Sequence, residues 1–168
     1  MRHVVNSLNR SKESRWQKWV FNKLMWWGVP FNRPHSMRVI NVTDTSVQAA
    51  MKYSKKNTNH IKGIHACAIA TVSEYVAGLC LLKAFEPTDY RIIMSSLTAE
   101  YHYQAKREIT ALASLDPEQC SILKSECEKN DKAIQVMVSN VHDVEGNHIA
   151  TVTTKWQVKL WRNVKLKA

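Results

Sequence analysis

The stretch GIHACAIATVSEYVAGLCLL, from Gly63 to Leu82, constrains the fold more than any other part of the chain. Its residues are almost all apolar or small, yet Glu74 lies in its middle, nine positions after His65. A helix that is apolar on every side is buried in the centre of a domain or in a membrane. A carboxylate near the bilayer centre costs roughly 2.5 to 3.5 kcal/mol. We therefore predict a buried central helix in this stretch.

A second helix is predicted before the central one. Apolar residues recur at helical spacing from Trp16 to Trp27, and Gly28 and Pro30 follow them as stop signals. This pattern predicts an amphipathic N-terminal helix over about residues 10–28 that covers the domain. The commonest meaning of its tryptophan-rich stripe is a face packed on the core, and an alternative is a contact with a membrane surface.

The rest of the chain is predicted to be mainly β-structure. Alternating or β-branched runs are separated by turn residues, and Asp116-Pro117-Glu118 predicts the cap and first turn of a short helix that ends near Lys129. Because the strands do not alternate with helices, we expect an α+β fold in which an antiparallel sheet of about six strands curls around the central helix. The runs lie at 37–43, 47–53, 90–95, 97–105, 108–115, 134–138 and 150–160.

Composition limits the number of domains and the kinds of partner. At 168 residues and 45% hydrophobic content, the chain is the size of one domain, and we treat 1–168 as a single unit. Twenty-four lysines and arginines against 14 acids give a net charge of +10, which favours phosphate-bearing partners. The basic residues are scattered and no nucleic-acid recognition motif is present, so a nucleic-acid-binding module is disfavoured.

The cysteines point to a reducing compartment. Cys67, Cys80, Cys120 and Cys127 have no metal-site spacing, so we expect reduced thiols. We expect no metal site, because no cluster of His, Cys, Asp and Glu has ligand spacing, and we expect no bound cofactor. The first residues lack the apolar core of a secretory signal. We therefore expect a cytoplasmic protein.

Three segments carry a resemblance to a known family. NHIKGIHACAIATVSE, AEYHYQAKREITALASL and SNVHDVEGNHIATVTTKWQV, in this order, resemble the hotdog-fold acyl-CoA thioesterase superfamily. The likeness is to its phenylacetic-acid-degradation branch and to a related group of uncharacterised bacterial thioesterase-like proteins, and it spans roughly residues 16–161. That branch has an Asn six positions before a His-Gly-Gly and an acid nine positions after the His. Asn59, His65 and Glu74 match these positions, but His65-Ala66-Cys67 replaces His-Gly-Gly.

The resemblance implies hydrolysis of an acyl thioester, with coenzyme A or acyl carrier protein as the leaving thiol. It implies Glu74 as general base or nucleophile, the backbone N–H groups of Ala66 and Cys67 as oxyanion donors, and His65 and Asn59 as residues that orient substrate or water. Coenzyme A would enter as part of the substrate. A non-catalytic hotdog protein that binds an acyl ligand is the alternative function.

Geometry favours a site shared by two subunits. Nine helical residues span about 13.5 Å, so His65 and Glu74 of one chain cannot both reach one thioester. An antiparallel pair of central helices in a homodimer would bring them together, and association of two dimers stays open. Each candidate also has a structural alternative. Glu74 could be paired with a buried lysine or with backbone donors. His65 could form a hydrogen bond to the neighbouring loop, and Asn59 could shape that loop.

The remaining candidates concern the substrate. Trp27 of the N-terminal helix is predicted to contribute to the acyl pocket or its cover. Lys106 and Arg107 belong to the turn Ala105-Lys106-Arg107, where many family members carry Pro and Gly, and they are predicted to contact the substrate. Cys67 as a nucleophile, with His65 as its base, is a weaker alternative because buried cysteines are usually inert.

Overall fold

A computed structural model of the chain describes residues 2–164. The order of its elements confirms the predicted α+β architecture. The helices and strands are α1 Arg2–Arg10, α2 Arg15–Gly28, β1 Arg38–Val42, β2 Ser46–Met51, α3 Ala66–Ala84, β3 Tyr90–Tyr101, β4 Ile109–Ser114, α4 Pro117–Asn130, β5 Lys132–Asp143 and β6 His148–Leu160, with short 3₁₀ turns at Pro30–His35 and Trp161–Asn163.

One antiparallel sheet of six strands, in the order β1-β2-β4-β5-β6-β3, forms the body of the protein. Its outer strands are therefore β1, which is short, and β3, which is long. The sequence predicted two strands where the structure has β3 alone, because the register shifts between Met94 and Ser96. A bulge of this kind breaks the alternation of side chains without ending the strand.

Helix α3 is the predicted central helix. It is long and apolar enough to cross a membrane by length and composition, but more than half of its apolar window is buried in the protein. Val72, Val76 and Leu81 are fully buried, and the helix packs on β2, β4 and β5. The sheet therefore supplies the apolar environment that this helix needs.

Two buried thiols join the helices to the sheet. The Sγ of Cys80 in α3 donates to the carbonyl oxygen of Ala113 at 3.3 Å, and the Sγ of Cys127 in α4 donates to that of Val158 at 3.4 Å. Burial raises the pKa of Cys80 to about 12. Together with Cys67 and Cys120, these cysteines are free thiols.

The N-terminal region forms two helices where the sequence predicted one over 10–28. The helical segment is interrupted before Ser14, which is the N-cap of α2. Its side chain accepts a hydrogen bond from the N–H of Gln17 at 3.2 Å. Helix α2 docks on β1 through Asn22, which donates to the carbonyl oxygen of Val39 and accepts from its N–H. Phe21 of α2 is fully buried.

The tryptophans of α2 do not form its core face. Trp16 is 65% exposed and Trp27 is 67% exposed, so the interpretation of this stripe as a core-packed face is wrong. The buried position is Phe21, on the other side of the helix. The periodicity of apolar residues located the helix, but it could not indicate that the larger aromatic face points outwards.

Candidate functional site

The start of α3 is fixed by bonds from three separate loops and strands. The N–H of His65 donates to the carbonyl oxygen of Asn57 and that of Ile64 donates to Ala105, both at 2.7 Å. The hydroxyl of Tyr101, at the end of β3, donates to the carbonyl oxygen of Ala66 at 3.0 Å. These contacts bring the first turn of α3, the end of β3 and the loop that follows β3 together.

His65 is the N-cap of α3. Its Nδ1 accepts a hydrogen bond from the N–H of Cys67 at 3.1 Å, which assigns the proton of the neutral ring to Nε2. Its backbone carbonyl oxygen accepts from the N–H groups of Ala68 and Ile69 at 2.9 and 3.1 Å. The imidazole therefore does what a serine or aspartate does at other helix starts.

This cap changes the predicted pair of oxyanion donors. The N–H of Cys67 is engaged by His65, so it can serve a substrate only after the imidazole moves away. The N–H of Ala66 makes no hydrogen bond within residues 2–164 and lies at the positive end of the helix. In this arrangement one of the two predicted donors is open.

Asn59 shapes the loop before the helix. Its Oδ1 accepts from the N–H groups of Ile61 at 3.1 Å and Gly63 at 3.0 Å, and its own N–H donates to the carbonyl oxygen of Gly63 at 2.8 Å. Both lone-pair directions of the amide oxygen are used inside the turn. This is the alternative role considered for Asn59 from the sequence.

Glu74 lies in the middle of α3, half-buried and without a partner among the described residues. Within residues 2–164 its carboxylate makes no hydrogen bond and no ion pair. Burial raises the pKa of Glu74 above its ordinary range, because the charged form loses water without gaining a donor. The described residues therefore do not supply the buried lysine or backbone donors that a purely structural glutamate would use.

The indole of Trp156 lies beside Glu74. A Cβ added to Gly78, one turn further along α3, would lie 3.7 Å from Glu74 Oε1 and 3.3 Å from the indole of Trp156. Trp156 is buried, and its Nε1 donates to the hydroxyl of Thr154 at 2.8 Å, so its polar edge is already paired. The absence of a side chain at Gly78 lets the indole approach the helix beside the acid.

One face of α3 is not covered by the sheet, and we call it the open stripe. Its members are exposed or half-buried, while Val72, Val76 and Leu79 on the other side are buried. Apart from the central Glu74, all of them are small, which leaves space for a ligand or for close approach of another chain. The open stripe consists of Cys67, Ala70, Thr71, Glu74 and Gly78.

The predicted substrate residues lie at two different places. Lys106 and Arg107 follow β3 and line a cavity of about 260 Å³ beside Asp143 and Glu145. Arg107 is paired with Glu145 at 2.9 Å, whereas Lys106 is exposed and directly follows Ala105, whose carbonyl holds the start of α3. Trp27 lies on the outer side of α2. Its ring packs edge-on against that of Trp26, with 5.1 Å between the ring centroids.

Sequence reasoning missed three residues that build this site. Tyr101 fixes the first turn of α3, and Trp156 lies beside the acid. Asn57 is buried, and its Nδ2 donates to the carbonyl oxygens of His35 and Lys52 at 3.1 Å. Only Trp156 carried a signal, because it alternates with polar residues in the last predicted strand and therefore faces the helix.

The fold is shared with solved structures. A probable thioesterase of unknown function from Pseudomonas aeruginosa has a TM-score of 0.78 and 24% identity, over 83% of this chain and 93% of that one. A putative thioesterase from Shewanella oneidensis has a TM-score of 0.69 and 12% identity, over 94% and 98%. A thioesterase from Haemophilus influenzae has a TM-score of 0.66 and 12% identity, over 83% and 87%. These likenesses establish the hotdog fold predicted from the sequence.

The family follows from the sequence match. Residues 17–158 match the model described as a domain of unknown function, DUF4442. The chain therefore belongs to the DUF4442 family. A comparison with curated proteins found no match.

Proposed function

We propose that this protein hydrolyses acyl thioesters, with Glu74 as the reacting acid. The observation that carries the proposal is an unpaired, half-buried carboxylate in the middle of the open stripe. An acid held in this way destabilises the fold when it is charged, and such groups are concentrated at functional sites. The thioesterase names of the three structures above support the same reaction class.

The chemistry needs one base, one oxyanion donor and water. As general base, Glu74 takes a proton from a water molecule whose oxygen attacks the thioester carbonyl, the C–S bond then breaks, and the thiol leaves with the proton. Alternatively, the carboxylate attacks first, expels the thiolate and forms an anhydride that water hydrolyses. In both routes the N–H of Ala66 stabilises the charge on the carbonyl oxygen. His65 and Asn59 act as positioning residues for that helix start.

The site needs a second subunit. Glu74 is about 13.5 Å along the helix from His65, which is too far for one thioester carbonyl to reach both ends. Strand β3 is a long sheet edge whose outer side is not paired within the described residues, and it exposes Ile93 and Met94. We propose that two copies pair along β3. An antiparallel arrangement of the two α3 helices would place Glu74 of each subunit near Ala66 of the other.

Two further associations belong to the same proposal. The outer face of β4 and β5 exposes Leu112, Ile134, Val136 and Val138, which suits a weaker association of two dimers. The exposed Lys106, next to the start of α3, is suited to a phosphate of coenzyme A or of the prosthetic group of acyl carrier protein. We also propose a cytoplasmic location, in keeping with these substrates.

A second function is favoured by one observation. Because His65 occupies the N–H of Cys67, the oxyanion site is incomplete in this arrangement. A non-catalytic protein would use the same open stripe to hold an acyl chain without polarising its carbonyl. Turnover of a panel of acyl-CoA thioesters by the wild-type protein and by Glu74→Gln separates the two functions, since only an enzyme releases free thiol at a rate that depends on Glu74.

A further inference from the structure

The outer side of α2 and the turn after it form an exposed aromatic surface, which we call the tryptophan face. Single exposed apolar side chains are normal, but a group of them on one segment, with Trp16 stacked on Trp19 and Trp26 edge-on to Trp27, indicates an interaction site. Each member is more than two-fifths exposed. The tryptophan face consists of Trp16, Trp19, Leu24, Trp26, Trp27 and Phe31.

Cations are interleaved with these rings. The Nζ of Lys23 lies 5.8 Å from the ring centroid of Trp19, and the guanidinium of Arg33 lies 5.2 and 5.4 Å from those of Trp26 and Trp27. Arg33 also donates to the backbone carbonyl oxygens of both tryptophans, so its position is fixed. The segment from Ser14 to Thr43 contains five lysines and arginines and no acid.

A groove between α2 and β1 continues the same surface. It has a volume of about 680 Å³, and Trp19 and Trp26 form part of its apolar lining. Arg15, Lys23 and Lys52 bring cationic side chains to it. Indoles beside a cationic groove therefore offer both an apolar contact and a place for an anionic headgroup.

We propose that the tryptophan face docks the protein on a bilayer that contains anionic phospholipid. Tryptophan is suited to the headgroup level of a membrane because its ring is apolar while its N–H remains polar. An amphipathic helix with aromatic residues and lysine or arginine lies in the plane of that interface. Helix α2 presents this combination outwards, while Phe21 and Asn22 anchor its other side to the domain.

Other occupants fit less well. In a symmetric contact between two copies the same surface meets itself, so an acid-free face would set cations against cations. An acidic protein would satisfy the charges, but it would have to cover four exposed indoles as well. The interior of a bilayer and its anionic surface satisfy both requirements together. This inference does not use Glu74 and is independent of the proposed hydrolysis.

The test is co-sedimentation of the full chain with vesicles of phosphatidylcholine alone and of phosphatidylcholine with phosphatidylglycerol. Two double variants probe the face: Trp16→Ser with Trp19→Ser, and Arg15→Glu with Lys23→Glu. The matched control is Ile122→Ser with Val144→Ser, which removes two exposed apolar side chains that have no part in the tryptophan face or in the proposed subunit contacts. Thermal melts verify folding, and brominated phospholipid reports insertion of the indoles by quenching their fluorescence.

We expect binding to the anionic vesicles that weakens with salt, falls at least about tenfold in both face variants and is unchanged in the control. Brominated lipid should quench the wild-type protein on anionic vesicles. The proposal is overturned if the wild-type protein does not bind, if it binds neutral vesicles equally well, or if the control loses as much binding as the face variants. It is also overturned if sedimentation shows that the tryptophan variants dissociate an oligomer, because a second copy would then cover this face.

Discussion

The Nδ1 of His65 accepts a hydrogen bond from the N–H of Cys67 at 3.1 Å, so the histidine of the family-like motif is the cap of the central helix. Replacing it with alanine should lower the free energy of unfolding by about 1 kcal/mol, as at other N-caps. His65→Asn should restore most of that stability, because its side-chain oxygen can accept the same bond. Urea unfolding of the three proteins measures the effect.

Turnover decides whether His65 also takes part in chemistry. If it only positions the helix start, His65→Asn should retain most of the acyl-CoA hydrolysis. A fully stable His65→Asn protein with turnover reduced by orders of magnitude would show that the imidazole itself is needed.

The unpaired carboxylate of Glu74 predicts a sign for the pH dependence of stability. Because burial raises its pKa in the folded state, the native protein binds more protons than the unfolded chain between the ordinary pKa and the raised one. The stability of the wild-type protein should therefore fall as pH rises through that window. The Glu74→Gln protein has no carboxylate to ionise there and does not lose this stability. Its Tm should therefore be higher than that of wild type at neutral pH and similar in acid.

Thermal melts across this pH range provide the measurement. A Glu74→Gln protein that is less stable at neutral pH, by the roughly 3 to 5 kcal/mol typical of a broken buried ion pair, would contradict the unpaired state. Gly78→Ala is a useful comparison, since it crowds Trp156 at the same place without removing the acid.

The open edge of β3 predicts the assembly. Ile93→Lys should convert a dimer into a monomer and abolish turnover. A lysine on an edge strand brings a charge into the contact between the two sheet edges and so disfavours their pairing. Ile134→Lys is the matched control, since Ile93 and Ile134 are both 41% exposed but Ile134 lies on the outer face of the sheet. Sedimentation velocity measures the assembly, and we expect the Ile134→Lys protein to remain dimeric. A wild-type protein that is monomeric and active would exclude the shared site.

Thiol reactivity tests the packing around α3. Cys67 is exposed on the open stripe, whereas Cys80 and Cys127 are buried and bonded to backbone carbonyls. A bulky maleimide should label Cys67 first and block hydrolysis by filling the stripe, and Cys80, whose pKa is raised to about 12, should react only after unfolding. Mass spectrometry locates the label. Labelling of Cys80 at the native rate of Cys67 would contradict this packing.

The fold was predictable where local pattern and burial agree. The central helix is apolar on nearly every side, and the last strand alternates along its whole length, so both were recognised from the residues alone. The bulge between Met94 and Ser96 was hidden, because one extra residue reverses the alternation and imitates a chain break. The separate helix Arg2–Arg10 has no long apolar stripe and was missed.

The site was predictable as a set of residues but not as an arrangement. The spacing of Asn59, His65 and Glu74 singled them out, yet their bonds depend on partners that are distant in the chain or on ring orientation. Whether Glu74 is paired could be judged only once Trp156 and Gly78 were placed beside it. For α2, the spacing of apolar residues indicates that one face of the helix is apolar. Only the tertiary structure shows that the buried residue is Phe21 and that the tryptophans point outwards.

The central claim is that Glu74 carries out thioester hydrolysis, and release of free thiol from acyl-CoA substrates by wild type and Glu74→Gln tests it most directly. The amide keeps the shape of the side chain but can neither take a proton from water nor attack the carbonyl. We predict turnover in the wild-type protein that decreases in acid as Glu74 becomes protonated, and a loss of at least about 100-fold in a Glu74→Gln protein that is folded and still dimeric. Full turnover in that folded variant would contradict the account.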